Sequence, residues 1–252
     1  MIRWFKLMKI HKLPLFWWNY FLTKPFPEDL DSVGDLIEYG KKNKIIGFNR
    51  QCIRAYILWR ISLYFRCTSF VETGTNYGNT TGFVQRAFQI RAFSCEINFL
   101  KYFISKMFLV WANGVTLFHS SSPDFLEKIN CHDSLGDNPM FYLDAHWGEY
   151  MPLPDELTVI AKQYERAIVV IDDFFVPSEP RFGYDECPGL RIDTGVVIDA
   201  LKLYCENFQI YLPNYDPSFE LVNTATGMAI VFMGEQKEVP AEMFPFNLLA
   251  RV

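Results

Sequence analysis

Phe70-Val71-Glu72-Thr73-Gly74-Thr75-Asn76-Tyr77-Gly78-Asn79-Thr80-Thr81 decides how this 252-residue chain is read. An apolar run ends in an acid, crosses two glycines four apart and enters a segment of helical period. That is the sequence of a strand, a tight turn and a helix N-terminus, a junction able to cradle a ligand. Gly74 and Gly78 let the backbone turn sharply and approach a bound group closely. Asn76, between them, is among the few non-glycine residues that tolerate a left-handed conformation. The spacing lacks the full G-x-G-x-x-G of a dinucleotide fold, and no lysine follows as in a P-loop. Two glycines after a strand also occur in purely structural turns, so the rest of the chain has to decide.

Downstream, strand and helix patterns alternate. Strands are expected at Ser69–Glu72, Ala92–Glu96, Val115–His119, Met140–Asp144 and Ala167–Asp172, the last a nearly continuous β-branched run of the kind buried in parallel sheets. Helices are expected at Thr80–Gln89, Phe99–Leu109, Ser122–Ile129, Asp155–Arg166 and Thr194–Cys205. Two closing strands, Gln209–Leu212 and Gly227–Met233, follow. Repeated βα units imply right-handed crossovers and a sheet covered on both faces, with ligands bound beyond the carboxyl ends of the strands.

Four of those strand ends carry acids: Glu72, Glu96, Asp144 and the pair Asp172-Asp173. Glu96, at the end of the second strand, suits the two hydroxyls of a ribose, one per carboxylate oxygen; a solvated surface acid is the plain alternative. Ser120, Ser121 and Ser122 after the third strand either meet an adenine edge or cap the next helix. Asp144, Asp172 and Asp173 fall at the ends of neighbouring strands. Converging carboxylates repel unless a cation or proton is shared, and oxygen-only ligands favour a hard ion such as Mg²⁺; turn or capping roles are the alternative. His146, two residues beyond Asp144, is positioned to act as a general base. The loop from Val176 to Thr194, rich in Pro and Gly, is either a lid or a passive connection.

Upstream the composition changes. Residues 1–27 contain Arg3, Lys6, Lys9, Lys12 and Lys24, no acid, and Trp4, Phe5, Phe16, Trp17, Trp18, Tyr20 and Phe21. Such a segment either lies at a membrane surface or packs its aromatics on the body or on a second subunit. Asp31-Ser32 then caps a helix through Val33, Leu36 and Ile37, and a second helix runs roughly from Gln51 to Phe65. We read 28–252 as one domain, with 28–68 a helical lead-in and 69–234 the α/β core. Half of the residues are hydrophobic, so a sizeable core is expected, and a net charge of −5 argues against nucleic-acid binding. The six cysteines lack a C-x-x-C pair and are expected to be reduced and buried; a zinc site including Cys131 and His132 is the minor alternative. No apolar run reaches bilayer length and no signal peptide is evident, so the expected place is the cytoplasm, or the periphery of the inner membrane surface.

Together these residues resemble the class I S-adenosylmethionine-dependent methyltransferases over roughly 69–234. Glu72-Thr73-Gly74-Thr75-Asn76-Tyr77-Gly78 is similar to the family's acid-x-Gly-x-Gly-x-Gly turn, with Asn76 in place of the middle glycine. The resemblance implies a Rossmann-like seven-stranded sheet of order 3-2-1-4-5-7-6 with the last strand antiparallel. It also implies a cofactor held by Glu72, Gly74, Thr75, Asn76, Gly78, Glu96 and Ser121. Tyr142-Leu143-Asp144-Ala145-His146-Trp147 and Val170-Ile171-Asp172-Asp173-Phe174 are similar to the metal-dependent O-methyltransferases of the catechol and macrocin types. That likeness implies Mg²⁺ on Asp144, Asp172 and Asp173 and a hydroxyl acceptor on a small molecule or sugar; that His146 or Asp144 takes the proton is inferred from their position alone. An NAD(P)-dependent oxidoreductase and a non-enzymatic membrane-surface scaffold are the rival readings.

Overall fold

The computed structural model describes residues 20, 22–27, 30, 32–43, 45–132, 135–145, 150–187, 189–234 and 247–252. The lead-in helices are α1 (Val33–Asn43) and α2 (Cys52–Tyr64). Ser32 caps α1 as expected, its Oγ accepting the Asp35 amide at 3.0 Å. Next come β1 (Ser69–Thr73), α3 (Asn79–Ala87), β2 (Arg91–Glu96), α4 (Phe99–Phe108), β3 (Val115–His119), α5 (Ser122–Ile129), β4 (Pro139–Leu143), α6 (Leu153–Gln163) and β5 (Ala167–Asp172). A two-stranded hairpin, β6 (Glu186–Cys187) and β7 (Leu190–Arg191), precedes α7 (Thr194–Leu201), β8 (Phe208–Pro213), β9 (Met228–Met233) and β10 (Leu249–Arg251).

The main sheet has the order β10-β8-β9-β5-β4-β1-β2-β3. Strands β1 to β5 are parallel, and β9 runs antiparallel to both β5 and β8. The fold is Rossmann-like, with the 3-2-1-4-5-7-6 order that the resemblance implies. The strand count differs from seven. β10 adds an eighth strand antiparallel to β8, three residues long, too short for alternation to signal it. The loop after Val176 also differs from a featureless connection. The Phe175 amide bonds to the Ile192 carbonyl at 2.8 Å, and the Asp185 amide to the Asp173 carbonyl at 2.9 Å, so the β6–β7 hairpin is tied to the end of β5.

Alternation along the central strands sorts the core onto two faces. Phe70, Met140, Tyr142, Ile168, Val170, Ile230 and Phe232 meet the lead-in helices and α3. Val71, Phe141, Leu143, Val169, Ile171, Ala229 and Val231 meet α5, α6 and α7. Helix α2 is buried from Cys52 through Trp59, which explains why its sequence is apolar around most of its circumference. Its N-terminus is satisfied from far away: Glu220 accepts the Ile53 and Arg54 amides at 3.0 and 3.1 Å. Cys52, Cys67, Cys95 and Cys205 are buried free thiols, whereas Cys131 is exposed, against expectation, on the turn after α5. No described helix is long and apolar enough to cross a membrane.

Candidate functional site

The β1–α3 turn is built as the sequence reading required. Gly74 and Gly78 have φ of +83° and +80°, and Asn76 adopts the left-handed region at 51°. A Cβ on Gly74 would lie 2.5 Å from the Asp144 carbonyl oxygen, so the turn presses directly on the end of β4. Glu72 is buried, and its Oε2 accepts the Ser94 hydroxyl at 2.6 Å and the Thr81 hydroxyl. Burial pushes its carboxyl up to about 7, against the two hydroxyls, which lower it.

Glu96 is also buried, each oxygen held by a backbone amide: Asn76 to Oε2 and Asn98 to Oε1, both at 2.9 Å. It is therefore fixed in position against the glycine turn rather than solvated at a strand end. Beside it lies a mostly apolar cavity of about 240 Å³, lined among others by Ile97, Ser121, Pro123 and Tyr150. Ser121 sits at the N-cap of α5, yet its side chain makes no capping hydrogen bond, so the capping alternative does not occupy it. A second cavity, also about 240 Å³ and polar, is lined by Glu72, Thr75, Asn76, Asn79, Asp144 and Arg50, with Gly74 common to both. The larger concavities of the surface, near 590 Å³, lie by α6 and α7, away from the glycine turn.

Arg50 reaches the polar cavity from a strained turn. Phe48, Asn49 and Arg50 have consecutive φ of 50°, 54° and 68°, a conformation that a bulky residue adopts only when its surroundings impose it. Phe48 is buried against the rings of Phe70, Phe83 and Tyr142, and its amide donates to Thr80 Oγ1 at 3.1 Å. Aromatic packing thus holds the turn beside the start of α3. Among the described residues Arg50 has no carboxylate partner. Nothing in its sequence neighbourhood marked it, because its place depends on how the lead-in packs.

Asp144, Asp172 and Asp173 converge, each offering an oxygen within 4.8 Å of the others. Asp172 arrives with a cation attached. Arg54, in α2 and fully buried, donates to Asp172 Oδ1, to Tyr142 Oη at 3.3 Å and to the Gly227 carbonyl at 2.9 Å. Tyr142 in turn donates to Asp172 Oδ2 at 2.6 Å, and the Asp173 amide to Oδ1 at 2.8 Å. Burial pulls Arg54 down, but Asp172, with Tyr142, Tyr215 and Asp173 adding to it, more than reverses this and holds it above its ordinary value. Asp144 is pushed well above the carboxylate range, first by desolvation, then by Asp172, Asp173 and Glu72. The lone cation in the apolar run Cys52–Trp59 was the sequence signal for Arg54.

The acid cluster fits a divalent cation. Three carboxylates less one guanidinium leave two negative charges, all donors are oxygen, and the repulsion that raises Asp144 is what a cation relieves. Among the described residues no other cluster of metal-ligating groups occurs, Cys131 and His132 included. His146 lies outside the described residues.

No family model matches the chain, and no curated protein does. Solved structures do. It is similar to the O-methyltransferase from Bacillus cereus in complex with SAH, at 13% identity over 82% of this chain and 92% of that one, TM-score 0.49. It is likewise similar to the O-methyltransferase TomG from Streptomyces achromogenes in complex with SAM, at 13% identity over 82% and 91%, TM-score 0.48. The likeness is one of fold.

Proposed function

We propose that the chain is an S-adenosylmethionine-dependent O-methyltransferase acting on a hydroxyl of a small molecule or sugar, assisted by Mg²⁺. The observation that carries this reading is the pair of cavities joined at Gly74. One is apolar and ends on a carboxylate fixed for a diol. The other is polar and carries both signs of charge. An adenosine joined to a zwitterionic amino acid has that division.

In this reading Glu96 accepts the ribose hydroxyls, and the adenine lies between Ile97 and the Ser121 edge. At the other end Glu72 faces the ammonium and Arg50 the carboxylate. When bound, the metal on Asp144, Asp172 and Asp173 supplies Lewis acidity that makes the acceptor hydroxyl more acidic. The acceptor oxygen attacks the sulfonium methyl carbon in line. The S–C bond breaks as the O–C bond forms, adenosylhomocysteine leaves, and the hydroxyl proton passes to Asp144 or His146. The chain's main contribution is to hold oxygen, carbon and sulfur in line.

Calorimetric titration is expected to show adenosylhomocysteine binding; none would remove the reading, and NADH binding instead would favour the oxidoreductase. Methyl transfer to a sugar or catechol acceptor should stop in excess EDTA and return with Mg²⁺. Full activity in EDTA would remove the metal and leave the cofactor assignment standing.

Truncating the ligand tests Arg50. Arg50→Ala should weaken adenosylhomocysteine by about 1.5–3 kcal/mol, the worth of a charge-assisted hydrogen bond. It should leave 5′-methylthioadenosine, which lacks the aminocarboxypropyl chain, unaffected. Equal weakening of both ligands would show that Arg50 does not meet the carboxylate.

Glu72 makes the ligand-free protein pH-sensitive. Its carboxyl sits at about 7 in the folded chain against an ordinary 4.5. Between those values the folded state keeps a proton that the unfolded chain has released. The stability it contributes is full below the lower value and is lost as pH rises through the upper one. Stability should fall by about 3 kcal/mol across that window, and Glu72→Gln should flatten the profile. Denaturant melts from pH 4.5 to 8 measure this directly.

A further inference from the structure

Among the described residues Arg54–Asp172 is the one ion pair with both side chains buried; every other pair has a partner at least 45% exposed. A buried pair adds little stability over a well-packed apolar pair of the same volume, because desolvation cancels most of the attraction. What this pair does to Asp172 is more specific.

Asp172 is saturated on one oxygen. Its Oδ1 accepts from Arg54 Nη1, from the Asp173 amide at 2.8 Å and from Thr226 Oγ1 at 3.3 Å. Its Oδ2 accepts only from Tyr142 Oη, at 2.6 Å. A carboxylate has about four lone-pair sites, two per oxygen, so one site is left and it is on Oδ2. The guanidinium is also fixed at both ends. Its Nη2 donates to the Gly227 carbonyl at 2.9 Å and to Thr226 Oγ1 at 3.1 Å, while the Arg54 amide donates to Glu220 Oε1 at 3.1 Å. It is a stationary positive charge against an acid of the Asp144–Asp172–Asp173 cluster.

Resting on the metal reading above, we infer that Arg54 is a built-in counter-ion that restricts Asp172 to one-oxygen ligation and keeps the divalent ion weakly bound and exchangeable. The guanidinium permanently supplies part of the positive charge that converging carboxylates require. The three acids therefore stay together, and the chain folds, without the ion. An arriving ion meets two negative charges instead of three. Magnesium takes six oxygens and keeps waters where the protein offers few, so a single oxygen from Asp172 leaves places for a substrate hydroxyl. Arg54 is a positioning residue in this role: it acts through Asp172 and touches neither cofactor nor acceptor.

Mn²⁺ binding to the full chain, read from the electron paramagnetic resonance signal of the free ion, tests this without recourse to activity. R54M should bind Mn²⁺ at least about tenfold more tightly than wild type, because a unit positive charge beside a divalent ion is gone; R54K, which keeps the charge, should stay within about threefold. D172N leaves Arg54 unpaired beside two carboxylates and should bind at least about tenfold more weakly than wild type. R54M/D172N has the same two carboxylates and should regain most of that loss. This second pair of proteins carries the test if R54M does not fold. Damage to the fold cannot produce either gain. R54M binding no more tightly than wild type, or R54M/D172N no more tightly than D172N, would overturn the counter-ion role and leave the metal reading standing. Mn²⁺ binding to neither wild type nor any variant would remove both.

Discussion

Replacing Arg54 by methionine is expected to lower the unfolding free energy by about 3–5 kcal/mol, the cost of leaving a buried charge without its partner. Arg54 and Asp172 are 118 positions apart, and their side chains are 0% and 1% exposed. Methionine fills much of the space but leaves Asp172, the Gly227 carbonyl and Thr226 Oγ1 without the donors that Arg54 supplied at 2.9 and 3.1 Å to the latter two. R54M/D172N removes both charges at once and should recover part of the loss, giving a coupling of about 1–3 kcal/mol in a double-mutant cycle. Chemical denaturation of the four proteins measures it. A double variant no better than the sum of the singles would show that the pair is not energetically coupled. Arg54→Lys keeps the charge but not the planar fork that reaches Asp172 and two backbone carbonyls, so it should rescue only in part.

Gly74→Ala should carry the second large effect, a loss of adenosylhomocysteine affinity of more than about 100-fold in calorimetry. A left-handed alanine costs about 1–2 kcal/mol by itself. The larger part is steric: the new Cβ would stand 2.5 Å from a backbone oxygen of Asp144, which has no side-chain freedom with which to yield. Relief requires the β1–α3 turn and the end of β4 to separate, and both proposed cavities are lined by that turn. Asn76→Gly is the control. It relieves a left-handed residue at φ 51° and keeps the amide that donates to Glu96 Oε2, so affinity should change by less than about threefold. Unchanged binding in Gly74→Ala would mean that the ligand does not lie across this turn.

Much of the candidate site was legible because its parts are local. The left-handed Asn76, the two positive-φ glycines and the acid at the end of β2 follow from residue types at fixed offsets from a strand. What was not legible lay in contacts between distant segments. Arg54 could be seen as an odd cation in an apolar helix, but its partner depends on where α2 crosses the sheet. That crossing is fixed by Glu220 and Gln51 bonding between α2's first turn and residues 220–226. The strained turn at Phe48–Arg50 was invisible for a related reason: local preference opposes it, and the ring cluster around Phe48 imposes it.

Helix α4 shows the same division at the surface. Its sequence is apolar on both sides, so periodicity announces a helix without saying which side is covered; packing against Tyr20, Leu109 and Ala112 chose one, and among the described residues Phe99 and Phe103 on the other stay exposed. The amino-acid sequence by itself determined the alternation of strands and helices, the glycine turn and the acids at the strand ends, because backbone conformation and side-chain period are short-range properties. Only the tertiary structure decided that an arginine from the lead-in neutralises Asp172, that Arg50 faces the polar cavity, that an eighth strand joins the sheet edge and that, among the described residues, Phe99 and Phe103 of α4 stay exposed. Each of those depends on which desolvated surfaces and charges meet across 32 to 173 positions of chain, and burial, not sequence neighbourhood, sets their energy.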